Sequence, residues 1–341
     1  MVFFGSKKPE APKGPVDWRT HYHTNEQLFN VAPPSFLIAD FLQRESITAI
    51  AAPVGQRKSI VALNVAHALC TKEPLFDHFA VAEDANISRV LYLCPEMGLT
   101  SFGNRVKKIG LGPYANKTFF FRTMNPVNPN DADSGEMQLD ELMPEEVDNA
   151  VVIIDTAVRF IKGDENSSAD MRVFAKSIFN LVKMKAAAIV VLFHSSKGAK
   201  DTGELTLENV MRGSGELGAF VTCCWGTRLQ DPNDEYRSKS FLRNCKPRDF
   251  DTKPFEVKGY EPYTDFRLHF VPNIGNAFLV KKQGGNVADR DGMDAAAKAI
   301  IRANAHQTID QLLKLLKEAQ ISRGESWVKK QRKIIRASVG F

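Results

Sequence analysis

The chain has 341 residues, 43% of them hydrophobic and 25% charged, with a net charge of +5. That length suits one large α/β domain with a small appendage, and the composition is that of a soluble globular protein. The longest apolar run, residues 186–193, is too short to span a bilayer, and the start, MVFFGSKKPEAPKGP, lacks the continuous apolar stretch of a signal peptide. Five cysteines (Cys70, Cys94, Cys223, Cys224 and Cys245) are an odd number without metal-ligand spacing. Free thiols, and with them a cytoplasmic protein without membrane contact, are expected.

Residues 1–34 read as an irregular lead-in. His21 and His23 have no Cys, His or carboxylate cluster to complete a metal site and are treated as surface residues. Pro33-Pro34 breaks the chain before the apolar anchor Phe36-Leu37-Ile38. A short apolar run over 47–50 then leads into Ala51-Ala52-Pro53-Val54-Gly55-Gln56-Arg57-Lys58-Ser59, followed by helical apolar spacing from Ile60 to about residue 71. Strand, tight loop, Lys-Ser and helix form the layout of a phosphate-binding P-loop. In it, loop amides and a helix N-terminus face an anion, Lys58 supplies charge and the Ser59 hydroxyl ligates magnesium. Ala52 and Arg57 occupy the two defining glycine positions, and only Gly55 remains. The stretch alone therefore fits two readings, a P-loop or an ordinary strand-to-helix turn with an exposed Lys-Ser. Arg57 has two outcomes of its own. It either crowds the phosphates or swings outward and leaves the cradle intact.

Further on, residues 89–94 form a continuous run of β-formers ending on Pro95-Glu96, the pattern of a buried parallel strand with a carboxylate at its C-terminal edge. Helical spacing follows over 100–109, a strand over 118–122 and an Asn/Asp/Pro-rich loop over 125–135. Val151-Val152-Ile153-Ile154-Asp155 is a strand delivering an acid, the Walker B pattern, and would place Asp155 beside the magnesium held by Ser59. Many parallel strands end in Asp; downstream of a Lys-Ser loop the pattern gains weight. Residues 171–184 have the spacing of an amphipathic helix, and 188–194 form the next buried strand, ending in His194. That histidine is either a satisfied core residue or, at a strand's C-terminal end, a sensor of the terminal phosphate. After a loop over 195–203 come β-rich segments at 220–227, 240–243, 266–271 and 277–281, separated by turns and so suggesting an antiparallel extension of the sheet.

The ordered motifs APVGQRKS, LYLCPE, VVIIDT, VVLFHSSKG, MRGSGELGA and LRNCKPRDF resemble the RecA-like P-loop ATPases, in particular the branch of RepA-type hexameric replicative helicases. The resemblance spans residues 35–282. It implies an α/β RecA-like core with a mainly parallel sheet, ATP and Mg2+ as ligands, and a ring, most often of six subunits, with ATP at the interfaces. It implies that Glu96 activates the attacking water and that His194 couples the γ-phosphate to DNA. It also implies that Lys246 and Arg248 of Lys246-Pro247-Arg248, or Arg212, reach a neighbour's nucleotide.

Beyond a linker at 285–293, residues 294–341 show helical patterns at 294–303 and 309–319, with Thr308 and Gln311 as a capping box. A third, from 326 to about 337, is basic. Residues 320–341 carry six basic side chains against Glu325 alone, a net +5 equal to that of the whole chain. Three short helices with a basic last one resemble a helix-turn-helix or winged-helix unit, and a packing bundle between subunits fits the same pattern. Two function classes follow. One is an ATP-hydrolysing ring motor acting on DNA, with single-stranded DNA the expected form. The other is a non-hydrolysing, nucleotide-dependent DNA-binding or regulatory protein.

Overall fold

The computed structural model describes residues 17–125, 137–195, 205–211, 215–231, 233–234, 237–259 and 265–272. Towards the C-terminus it describes 297, 300–301, 304, 307–318, 328–329 and 331–333. Arg212, the stretch 277–281 and the linker 285–293 lie outside the described residues. Contacts divide the chain into two units, Met1–Ser35 and Phe36–Phe341. The first unit contains the short helix α1 (Asn25–Phe29), begun by a capping box in which Thr24 and Gln27 exchange side-chain and backbone bonds at 2.9 and 3.2 Å.

Among its described residues the second unit has eleven strands. A small antiparallel pair, β1 (Phe36–Ile38) and β2 (Leu42–Gln43), precedes the main sheet. The sheet strands are β3 (Ile47–Ala52), β4 (Arg89–Cys94), β5 (Phe119–Thr123), β6 (Ala150–Ile154), β7 (Ala188–His194), β8 (Cys223–Leu229), β9 (Ser240–Asn244), β10 (Phe255–Lys258) and β11 (His269–Val271). They run in the order β11–β10–β9–β8–β3–β7–β6–β4–β5. From β8 to β5 neighbours are parallel; β9, β10 and β11 extend the sheet antiparallel. This is the α/β architecture expected, a mainly parallel sheet with an antiparallel extension.

The central strands are aliphatic on both faces because both faces are covered. Ile50, Val190 and Leu192 pack with α2 (Lys58–Thr71) and α3 (Leu99–Lys108). Ala49, Ala51, Val191 and Phe193 pack instead with α5 (Ser168–Lys183), which follows the short α4 (Pro144–Val147). Helix α2 is buried almost all round, as its lack of a polar face requires. Trp225 of β8 stacks on Phe41 with ring centroids 4.5 Å apart, and its Nε1 donates to the Phe41 carbonyl at 3.0 Å, which satisfies the indole inside the core. A separate small core joins Ala297, Ile301 and Val328 to Leu312 and Leu316 of the helix Ile309–Glu318. The Thr308–Gln311 capping box is formed, at 2.9 and 3.3 Å.

Three expectations shift. The apolar run from 220 to 227 is divided: Phe220 ends the helix Gly215–Phe220 and the strand starts at Cys223. A short apolar run carries no period by which to separate the two. Residues 266–268 cross over α2 before β11 begins at His269. Strand β10 was not expected, because Phe255 and Val257 alternate with charge over four residues only; its Glu256 is buried, and Lys239 pairs with it at 2.9 Å.

Candidate active site

Parallel order places the C-terminal ends of β3, β7, β6 and β4 along one edge of the sheet, and the predicted site residues leave from those ends. Ala52 lies level with His194 across β3 and β7, and Ile154 level with Leu93 across β6 and β4. The P-loop, His194, Asp155 and Glu96 thus share one edge, the position at which open α/β sheets collect ligands.

The loop leaves β3 at Ala52 and turns through Pro53 and Val54 to Gly55, at a φ of 77° that suits glycine. No atom lies within 4 Å of where a Gly55 Cβ would stand, so the space beside this glycine is open. Gln56 and Arg57 are buried, and Arg57 is left-handed, with φ 60° and ψ 20°. Its guanidinium points away from the loop, donating to the Ser238 carbonyl at 2.7 Å and to Ser240 Oγ at 3.3 Å. Arg57 swings outward. Helix α2 has no side-chain cap on its first amides, which leaves them for an anion.

Lys58 Nζ donates to the carbonyls of Ala52 and Pro53, at 2.9 and 2.8 Å. Burial lowers its pKa to about 8, against the pull of the Asp155 and Glu96 carboxylates. Ser59 Oγ donates to Asp155 Oδ1 at 3.0 Å, and the Tyr92 hydroxyl to Oδ2 at 2.8 Å. Burial pushes the Asp155 carboxyl up, while these two hydrogen bonds draw it back down. The Asp155–Thr156 peptide is cis. Glu96 Oε1 accepts from Thr156 Oγ1 at 3.0 Å and from Arg159 Nε at 3.1 Å. His194 has its pKa lowered, first by burial and then by the Lys58 charge. Its Nδ1 is buried with no hydrogen-bond partner among the described residues.

These groups enclose a cleft of about 330 Å³, lined among others by Gly55, Lys58, Glu96, Thr156, His194 and Phe266. Open helix amides, a lysine cation and a paired hydroxyl and carboxylate fit a nucleotide's phosphates with a magnesium ion.

Lys246 and Arg248 are elsewhere. Strand β9 is antiparallel to β8, with Ser240 level with Leu229 and Asn244 level with Trp225. The chain after Asn244 therefore runs towards the edge opposite the P-loop. There Lys246 Nζ donates to the Val221 carbonyl at 2.7 Å and to that of Gly218, and burial lowers its pKa. Arg248 is exposed. Sequence reasoning missed Tyr92, Thr156, Arg159, Arg105 and Phe266. Tyr92 alone left a signal: a tyrosine inside an aliphatic strand needs a buried partner for its hydroxyl.

Residues 19–200, more than half of the chain, match a family described as AAA domain. No curated protein matches the sequence. Among the similar solved structures, three are each 12% identical. The flagellar accessory protein FlaH from Methanocaldococcus jannaschii has a TM-score of 0.43, covering 67% of this chain and 91% of that one. A DnaB-like replicative helicase has a TM-score of 0.49, covering 73% and 66%. A KaiC-like protein from Pyrococcus horikoshii OT3 has a TM-score of 0.44, covering 71% and 100%. Among the described residues no helix is long and apolar enough to cross a membrane.

Proposed function

The chain belongs to the AAA-domain family, and from that premise we propose that it is a RecA-like P-loop ATPase that hydrolyses ATP as a cytoplasmic ring motor acting on DNA. The observation that carries the reading is the convergence of Lys58, Ser59, Glu96 and His194 on one cleft at one sheet edge, with the buried Asp155 bonded behind Ser59. Lys58, released from the Ala52 and Pro53 carbonyls, would bind the β- and γ-phosphates, while the loop amides between Pro53 and Ser59 cradle the chain of phosphates. Ser59 and Asp155 would hold magnesium, which when bound neutralises charge on the phosphates.

Glu96 would accept a proton from the attacking water, with Thr156 and Arg159 fixing its carboxylate. His194 leaves β7 beside the loop and lines the cleft, where its ring would sense the γ-phosphate. Arg248, exposed at the far edge of its own sheet, and Lys246, once released from the Gly218 and Val221 carbonyls, would serve the nucleotide of a neighbour in a ring of six. Arg212 is a second finger candidate. The RepA-type helicase branch, and single-stranded DNA held partly by the basic 294–341 region, belong to the same reading. One observation favours non-hydrolysing binding instead: Glu96 is paired with Arg159. Phosphate release, measured with and without single-stranded DNA, separates the two. The motor requires turnover that DNA increases, and the binding protein gives none in either condition.

A further inference from the structure

We infer that Arg57 is a positioning residue that fastens the P-loop to the β8–β9 hairpin, so that nucleotide affinity depends on a hairpin outside the loop. The inference rests on residues 51–59 being the ATP site. An arginine in the left-handed region is disfavoured relative to glycine, so the conformation must be held by something beyond the local backbone. Arg57 is 4% exposed, and its guanidinium bonds the Ser238 carbonyl at 2.7 Å and Ser240 Oγ at 3.3 Å. A charge-assisted bond in a buried site is among the stronger ones available. The preceding residue is tied to the same hairpin, with Gln56 Oε1 accepting from the Leu229 amide at 2.6 Å. Two consecutive loop residues thus grip the two arms of one hairpin, Leu229 at the end of β8 and Ser238–Ser240 at the start of β9.

The described base of that hairpin is braced on both arms. Its mouth is closed by the Gln230 amide to the Lys239 carbonyl at 2.9 Å and by the Asp231 amide to Ser238 Oγ at 2.7 Å. Lys239 is in turn paired with the buried Glu256 of β10. Strand β8 also hydrogen-bonds along β3, from which the loop springs. Where a glycine would leave the turn free, Arg57 replaces that freedom with an external tether. The bulky side chain at a glycine position is then part of the cradle's construction and no obstruction to it.

The test uses the full chain and a non-hydrolysable ATP analogue with magnesium, titrated by calorimetry, beside steady-state turnover. Arg57→Gly accepts the left-handed backbone and removes the tether. It should weaken binding by about tenfold, the worth of one hydrogen bond to a charged group, raising KM with kcat held within about twofold. Arg57→Lys, which keeps a cationic donor at this position, should recover part of the loss. Ser240→Ala, at a position outside the loop, should weaken binding by about threefold in the wild type and add nothing in the Arg57→Gly background. Wild-type affinity in Arg57→Gly would overturn the inference, as would an undiminished Ser240→Ala effect in that background. Lys58→Ala identifies which reading has failed. If wild type binds and Lys58→Ala does not, a normal Arg57→Gly removes the tether alone; if wild type itself does not bind, the nucleotide site falls and the tether with it.

Discussion

The Tyr92 hydroxyl donates to Asp155 Oδ2 at 2.8 Å, on the carboxylate whose Oδ1 accepts from Ser59 at 3.0 Å. The strand beside β6 therefore fixes the acid, and the P-loop helix meets it from the other oxygen. Removing the hydroxyl leaves Asp155 Oδ2 with only the weak Cys94 thiol contact at 3.9 Å, at a cost of about 1.5–3 kcal/mol for a bond to a charged group. Tyr92→Phe should accordingly shift the magnesium dependence of phosphate release, requiring about tenfold more magnesium for half-maximal rate. An unshifted magnesium curve would make Tyr92 a packing residue.

Lys58 supplies a pH prediction. With no nucleotide its pKa is lowered to about 8, chiefly by burial. Phosphate oxygens at the ammonium favour its charged form, so the pKa rises on binding. Between the two values binding takes up a proton, and affinity falls as pH rises through that window. Calorimetry at a pH of about 9, in two buffers of different ionisation enthalpy, reads this uptake directly. Lys58→Ala should abolish it together with most of the affinity, and proton release on binding would contradict the assignment.

Much of this site was legible as spacing. Lys58-Ser59, Glu96, Asp155 and His194 each end or follow an aliphatic run, and parallel strands bring such ends together. The partners that fix these residues were not legible, because they are set by packing between distant segments. Arg57 finds Ser238 across 181 positions, and nothing near Arg57 in sequence announces a hairpin there. Thr156 and Arg159 reach Glu96 only because β6 lies beside β4. The antiparallel direction of β9, which takes Lys246 and Arg248 to the far edge, is likewise a property of the sheet order and has no signature in the Lys-Pro-Arg triplet.

That far-edge position sharpens the ring prediction. An arginine supplied in trans is worth roughly a thousandfold or more in rate. Arg248→Ala should keep ATP affinity and lose turnover. Mixed with Lys58→Ala, it should regain activity that neither variant has alone, since one contributes an intact P-loop and the other an intact finger. Co-assembly without recovery would contradict a finger acting between subunits, and light scattering that finds a monomer with and without nucleotide would remove the ring.

The C-terminal charges make a separable prediction. Replacing Lys329, Lys330, Arg332 and Lys333 by alanine should weaken DNA binding and flatten its salt dependence. Each lost phosphate contact lowers the log–log slope by about 0.7–0.9. An unchanged slope would assign these residues to packing.

Glu96 offers the most direct measurement. Its carboxylate faces the cleft from the end of β4, held by Thr156 at 3.0 Å and Arg159 at 3.1 Å. Glu96→Gln preserves shape and removes the proton acceptor. Phosphate release should fall by about a hundredfold or more while ATP binding by calorimetry stays at the wild-type value. Turnover equal to wild type in Glu96→Gln, or no turnover in the wild type with DNA and magnesium present, would contradict an ATP-hydrolysing site at this sheet edge.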